Sequence, residues 1–72
     1  MSTIDTEMAR LRELVAEYER THDVPQRGLI YSTSASGTEA DRKYVFGDQI
    51  LFSKSAAHER LRFLAVEYGV TS

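Results

Sequence analysis

The sequence predicts an α+β chain in which two amphipathic helices flank a β-hairpin, an α-β-β-α order with residues 28–34 left open as an extra strand. Three observations carry this. Apolar residues recur at the helical period near both ends of the chain. Residues between them are β-branched and aromatic instead. Gly47-Asp48 then divides the strongest of those runs into two arms. At 72 residues the chain forms one domain, 1–72. A domain this short buries only roughly 60% of its unfolded surface. Its core supplies no more than about 5 kcal/mol, so a further staple is expected. No cysteine is present, which excludes disulfides and thiolate metal sites and leaves oligomerisation or partner docking.

The first helix is expected over 3–22. Ile4, Met8, Leu11, Leu14, Val15 and Tyr18 fall at steps of 4, 3, 3, 1 and 3, which sets them on one stripe. Ser2 or Thr3 is placed to cap it, and Asp5 and Glu7 sit where the helix dipole favours negative charge. Glu13 and Glu17 repel at i, i+4, so propensity and burial must hold the helix. Val24-Pro25 stops it, with fading from Thr21 to Asp23.

Residues 24–42 read as linker and strand. Gly28–Ser34 is extended, and Ala35–Arg42, with Ser36-Gly37-Thr38 and three charges following, reads as a mobile loop. The hairpin is expected over 43–53, with Gly47 first in a type II′ turn. Val45 then faces Ile50 and Tyr44 faces Leu51. Val45, Ile50 and Phe52 share one face; Tyr44, Phe46 and Leu51 share the other, which is expected to point outward. The second helix is expected over 55–68, capped by Ser53 or Ser55 and ended by Gly69. Ala57, Leu61, Leu64, Ala65 and Tyr68 make its first stripe; Phe63, Val66 and Val70 make a second. That surplus of apolar surface, on hairpin and helix alike, exceeds what two small layers cover.

Met1–Asp5 holds no basic stretch followed by an apolar run, so no signal peptide is expected. No apolar run approaches the ~18 residues of a membrane span, and a soluble, intracellular chain without membrane contact follows. Net charge is −2, too near neutral to name a partner. Residues 1–24 carry a balance of −3 and residues 42–62 one of +3, a split suited to head-to-tail docking of identical subunits. Two ordinary solvated faces would look the same.

Catalytic chemistry is not legible. His22 and His58 lie in different elements and neither has a second His or a Cys at ligand spacing. No nucleophile elbow surrounds Ser32, Thr33, Ser34 or Ser36, and the four glycines are isolated. Glu39, Asp41 and Asp48 sit in turns, where carboxylates are common. The chain is expected to have no enzyme activity, no catalytic residue, no metal and no cofactor. A nucleic-acid face could be assembled from Arg42, Lys43, Lys54, Arg60 and Arg62 with Tyr44 and Phe46 interleaved. A pI near 5.6 argues against base-specific binding. The hairpin also stands where a helix-turn-helix needs its second helix. Contact with a DNA backbone inside a larger assembly stays open.

Phe52-Ser-Lys-Ser-Ala-Ala-His-Glu-Arg-Leu-Arg-Phe63-Leu64-Ala65, running on to Gly69, resembles the small phage head–tail joining proteins of the lambda W type. The resemblance rests on an aromatic at the end of the second strand (Phe52), the Ser-rich start of the helix (Ser53–Ser55), the triplet Phe63-Leu64-Ala65 and the closing Gly69. It covers residues 43–69 chiefly, and helix 1 by type alone. Residues 24–42 are longer than that family's link, and its basic C-terminal tail has no counterpart before Ser72. Any contact such a tail makes would fall to another segment, with 24–42 the candidate. The resemblance implies a structural connector in the neck of a virion. Such a subunit forms a homo-oligomeric ring that joins the portal or an adaptor to the tail proteins. Its interface residues are expected to be Tyr44, Phe46, Leu51, Arg60, Phe63 and Val66. The alternative is a small phage- or plasmid-encoded regulatory protein in the host cytoplasm that binds a host protein or nucleic acid.

Overall fold

The computed structural model of the chain describes residues 3–71. Helix α1 spans Thr3–His22, the bounds its stripe predicts, and buries Met8, Leu11, Val15 and Glu19. The cap expected from Ser2 lies outside the described residues. Asp23 ends the helix by taking a left-handed φ of 52°. Val24 N–H then reaches back to the Glu19 carbonyl at 3.3 Å, the six-to-one closure of a Schellman turn.

Residues 28–34 do join the hairpin. Strands β1 (Leu29–Ser34), β2 (Arg42–Phe46) and β3 (Ile50–Leu51) form an antiparallel sheet in the order β1-β2-β3. Tyr44 pairs with Leu51 and Val45 with Ile50, the register expected from the two-residue turn. The β1–β2 register shifts between Leu29 and Tyr31, so Ile30 is an extra residue without a partner. Helix α1 takes up the carbonyls at that bulge. Arg12 Nε donates to Leu29 O at 3.1 Å, and another of its guanidinium nitrogens donates to Ile30 O.

Two expectations in this region are corrected. Gly47 is not in the left-handed region that a type II′ turn demands; the positive-φ glycines among the described residues are Gly37 and Gly69. Gly47 is instead required by a close approach, since a Cβ there would lie 1.8 Å from the Gln26 carbonyl oxygen. The stretch expected as a mobile loop holds a 3-10 turn, Glu39–Asp41, and Arg42 already belongs to β2. The Asp41 carboxylate accepts from the Ser34 hydroxyl, from Ser36 N–H at 3.0 Å and from Ser36 Oγ at 2.9 Å. Those bonds hold its carboxyl below the usual carboxylate range.

Helix α2 spans Lys54–Glu67, beginning and ending one residue earlier than the stripe suggests. The Ser53 hydroxyl caps it by accepting Ala56 N–H at 3.1 Å. Gly69, at φ 75°, closes it. Gly69 N–H donates to Val66 O and Val70 N–H to Ala65 O, both at 3.0 Å, which completes a Schellman turn.

Three strands between two helices make the helices parallel, where an α-β-β-α chain would return its second helix antiparallel. Lys54 Nζ meets Asp5 Oδ1 at 2.9 Å near the two starts, and Tyr18 stacks on Tyr68 at 4.2 Å near the two ends. The core lies between the helix pair and one sheet face: Met8, Leu11, Val15, Tyr44, Phe46, Ala57, Leu61, Leu64 and Ala65. The shortest dimension of the Cα trace is 14 Å, room for one helix layer on one sheet layer and nothing beyond. Both outward faces therefore meet solvent.

Candidate protein interface

The sheet buries the opposite face from the one expected. Tyr44 and Phe46 are 4% and 3% exposed, and Leu51 packs against the same core. All three were expected outside. Both faces of the hairpin are apolar, so alternation alone does not choose between them. Burial of two aromatic rings outweighs burial of Val45 and Ile50 and settles the side. Leu29, opposite Phe46 on β1, packs against that inner face too. The Tyr44 hydroxyl donates to a Glu39 carboxylate oxygen, and burial with that bond pushes its phenol up to about 12.

The outer face is thus a row that crosses all three strands, Tyr31–Val45–Ile50, in register. Tyr31 is 50% exposed and Ile50 49%, with Thr33 and Lys43 forming the next row. Phe52, beyond the end of β3, is 71% exposed. Lys43 is exposed and has no partner among the described residues.

Helix α2 supplies a second uncovered surface. Val70, expected on the second stripe, packs against the core, whereas Phe63 and Val66 of the same stripe are 55% and 56% exposed. Their position follows from their neighbours. Arg60 reaches to the hairpin turn, where a guanidinium nitrogen meets Asp48 Oδ2 at 2.6 Å. Arg62 lies on the α1 side, in a cleft with Glu7, Arg10 and His58. Phe63 stands between the two and points away from the core residue Leu61. The Arg60 guanidinium carbon sits 5.6 Å from the Phe63 ring centre, and its buried Nε finds no acceptor among the described residues. Glu59, Arg60, Arg62, Phe63 and Val66 line one shallow depression. In the neighbouring cleft His58 Nε2 lies 2.6 Å from Glu7 Oε1. A carboxylate only accepts, so the ring nitrogen carries the proton. That bond holds the Glu7 carboxyl below its ordinary value.

The five cations named as a nucleic-acid face do not converge. Lys54 pairs with Asp5, Arg60 with Asp48, and Arg42 with Glu39 at 3.4 Å. Lys43 lies on the outer sheet face and Arg62 on α2, while the aromatics Tyr44 and Phe46 are core.

Sequence reasoning missed one polar centre. Glu19 is buried, and its Oε2 accepts from Arg27 N–H at 2.8 Å, Gly28 N–H at 3.1 Å and the Tyr68 hydroxyl at 2.7 Å. A side chain at Gly28 would put its Cβ 2.8 Å from Val15 Cγ1, so the backbone comes this near only as glycine. Burial and the bond to Glu19 raise the Tyr68 phenol above its ordinary value. Tyr18 stacks between Tyr68 and His22, the latter at 3.9 Å, and Arg27 lies 5.4 Å over Tyr68 while pairing with Glu67. The signal was present: Glu19 sits four residues past Val15 on the buried stripe. Tyr68 ties the end of α2 to Glu19 near the end of α1, and Arg27 and Gly28 tie the linker into β1 to the same carboxylate, which makes the centre a structural lock. Among the described residues no group of three or more His, Cys, Asp or Glu could hold a metal ion, and no helix is long and apolar enough to cross a membrane.

Comparison with protein-family models, with curated proteins and with solved structures found no match to this chain.

Proposed function

We propose that the chain is a structural subunit that assembles with copies of itself, and that the assembly is a connector ring between the head and the tail of a phage particle. The observation that carries self-assembly is the pair of uncovered apolar surfaces, Tyr31–Val45–Ile50 on the sheet and Phe63–Val66 on helix α2. Single exposed apolar residues are ordinary; contiguous ones mark contact surfaces. An isolated pocket for a small ligand has no comparable support. The clefts along the helices are shallow, and charged side chains make up most of their lining.

The connector reading draws on the likeness of residues 43–69 to the lambda W type, with Phe52, Phe63 and Gly69 in the matching places. All three have a physical role here: Phe52 and Phe63 are exposed, and Gly69 closes α2. The third strand and the parallel helices depart from that family's α-β-β-α order, so the contacts within a ring would be this chain's own. The test is incorporation into particles. Phe63→Glu leaves a folded chain that is lost from purified particles, and particles that carry the variant at wild-type level would overturn the reading. Genes for portal, terminase and tail proteins are the expected neighbours; a repressor or host-defence neighbourhood would overturn the connector.

A further inference from the structure

We infer that the contact between copies is head to tail, with the Phe63 face of helix α2 of one copy seated on the outer sheet face of the next. This rests on the reading of the chain as a self-assembling subunit, and it says which surface meets which. Two features of the two faces favour this pairing over a contact of sheet on sheet.

The first is charge. Lys43 stands beside Val45 on the sheet face, and Glu59 stands one turn before Phe63 on the helix face; both are exposed, and neither has a partner among the described residues. A two-fold contact of sheet on sheet leaves Lys43 without an anion on either copy's face. Sheet on helix gives Lys43 and Glu59 to each other.

The second is spacing. Lys43 and Val45 are two residues apart on one face of β2, about 6.8 Å. Glu59 and Phe63 are four apart on one face of α2, about 6 Å. A helix laid along β2 with Glu59 over Lys43 therefore carries Phe63 over Val45. Tyr31 and Ile50 flank Val45 in register, at roughly 4.8 Å on either side, and form a cup three side chains wide for the Phe63 ring.

A contact of unlike faces leaves one of each kind free on every assembled pair, so it propagates to a ring or a filament.

Complementation tests the pairing directly. One variant disables the sheet face (Tyr31→Glu with Ile50→Glu), and another disables the helix face (Phe63→Glu). All three positions are exposed, and circular dichroism checks that both variants stay folded. In sedimentation velocity up to millimolar concentration, wild type forms higher species and each variant alone is monomeric. A mixture of the two forms a one-to-one heterodimer and stops there, because each contributes its one intact face. If either variant assembles alone as wild type does, the contact is symmetric and the head-to-tail pairing falls while self-assembly stands. A mixture that stays monomeric while wild type assembles also removes the head-to-tail pairing, because the intact face of one variant then fails to meet the intact face of the other. Wild type that stays monomeric throughout overturns both. Charge exchange supplies a second measure: Lys43→Glu or Glu59→Lys alone weakens association about tenfold, and the double exchange restores it to within about threefold. Singles without effect, or a double no better than the singles, would remove the register proposed for β2 and α2.

Discussion

Glu19→Ala removes the one carboxylate that serves three donors, two on the linker into β1 and one at the end of α2. Its cost can be worked from the groups left behind. Gly28 N–H is buried, and Arg27 N–H and the Tyr68 hydroxyl are partly so. A buried donor without a partner costs about 1–3 kcal/mol, and those near the surface recover part of that from water. Relief from burying a carboxylate offsets some of the loss. The net expectation is a destabilisation of roughly 3 kcal/mol. A chain of this length holds only about 4–10 kcal/mol in total, so the variant should be visibly less folded at ambient temperature. Urea unfolding followed by far-ultraviolet circular dichroism measures it.

The conservative variants sharpen that result. Glu19→Gln keeps an amide oxygen for one or two of the donors and should lose about half as much. Tyr68→Phe deletes a single bond and should cost about 1 kcal/mol. In the double variant Glu19→Ala with Tyr68→Phe the losses should fall short of additivity, because the orphaned hydroxyl is removed with the second change. A Glu19→Ala chain within about 0.5 kcal/mol of wild type would refute the reasoning, since that is the range of an ordinary surface substitution. So would a Gln variant weaker than the Ala variant.

Gly47→Ala should cost roughly 3 kcal/mol or more in the same assay, because its Cβ would lie 1.8 Å from backbone at Gln26. Gly37→Ala, at φ 79° in open space, should cost only about 1 kcal/mol, and equal losses at the two sites would refute the close approach. Asp23→Gly should raise stability by about 0.5–1 kcal/mol by relieving the left-handed φ of 52°, read as a higher urea midpoint; a lower one would contradict that account. Tyr44 predicts an alkaline limit. Its phenol ionises near 12 in the folded chain and near 10 when unfolded, so its contribution is whole below about pH 10 and is lost as pH rises towards about 12. That withdraws roughly 2–3 kcal/mol, which Tyr44→Phe should abolish; a variant with the same alkaline slope would assign the loss to another group.

The helices were legible because each carries a period and an ending. The α1 stripe fixed its bounds, and Ser53 and Gly69 bracketed α2 nearly to the residue. The hairpin register followed from its two-residue turn. What sequence pattern left open was every choice decided by packing between elements. Tyr44, Val45, Phe46, Ile50 and Leu51 make both hairpin faces apolar, and only the volume of two aromatic rings against α1 and α2 selects the inner one. Gly47 looked like a turn glycine because its closest neighbour, Gln26, is distant in sequence. Asp41 gathers Ser34 and Ser36 into an ordered turn through bonds that composition reads as loop. Of the expected interface residues, Phe63 and Val66 are exposed on α2 with Arg60 beside them, while Tyr44, Phe46 and Leu51 pack inward. Tyr31 and Ile50 take their place on the sheet.

That exchange of faces strengthens the case for assembly. Among the described residues nine apolar residues are buried, two of them alanines, and eight large apolar residues are left exposed. Most of the eight say little; Ile4 and Val24 sit at element ends, where exposure is ordinary. Tyr31 and Ile50 differ because sheet pairing holds them on either side of Val45. Phe63 and Val66 differ because they line one depression on α2, beside which Arg60 is held by Asp48. The Glu19 lock and the two Schellman turns use no side chain of Tyr31, Ile50, Phe63 or Val66, of which Val66 gives only its backbone carbonyl. Stability of the fold and the association proposed for the chain therefore rest on separate side chains, and a substitution on either apolar face should remove association while leaving the fold intact.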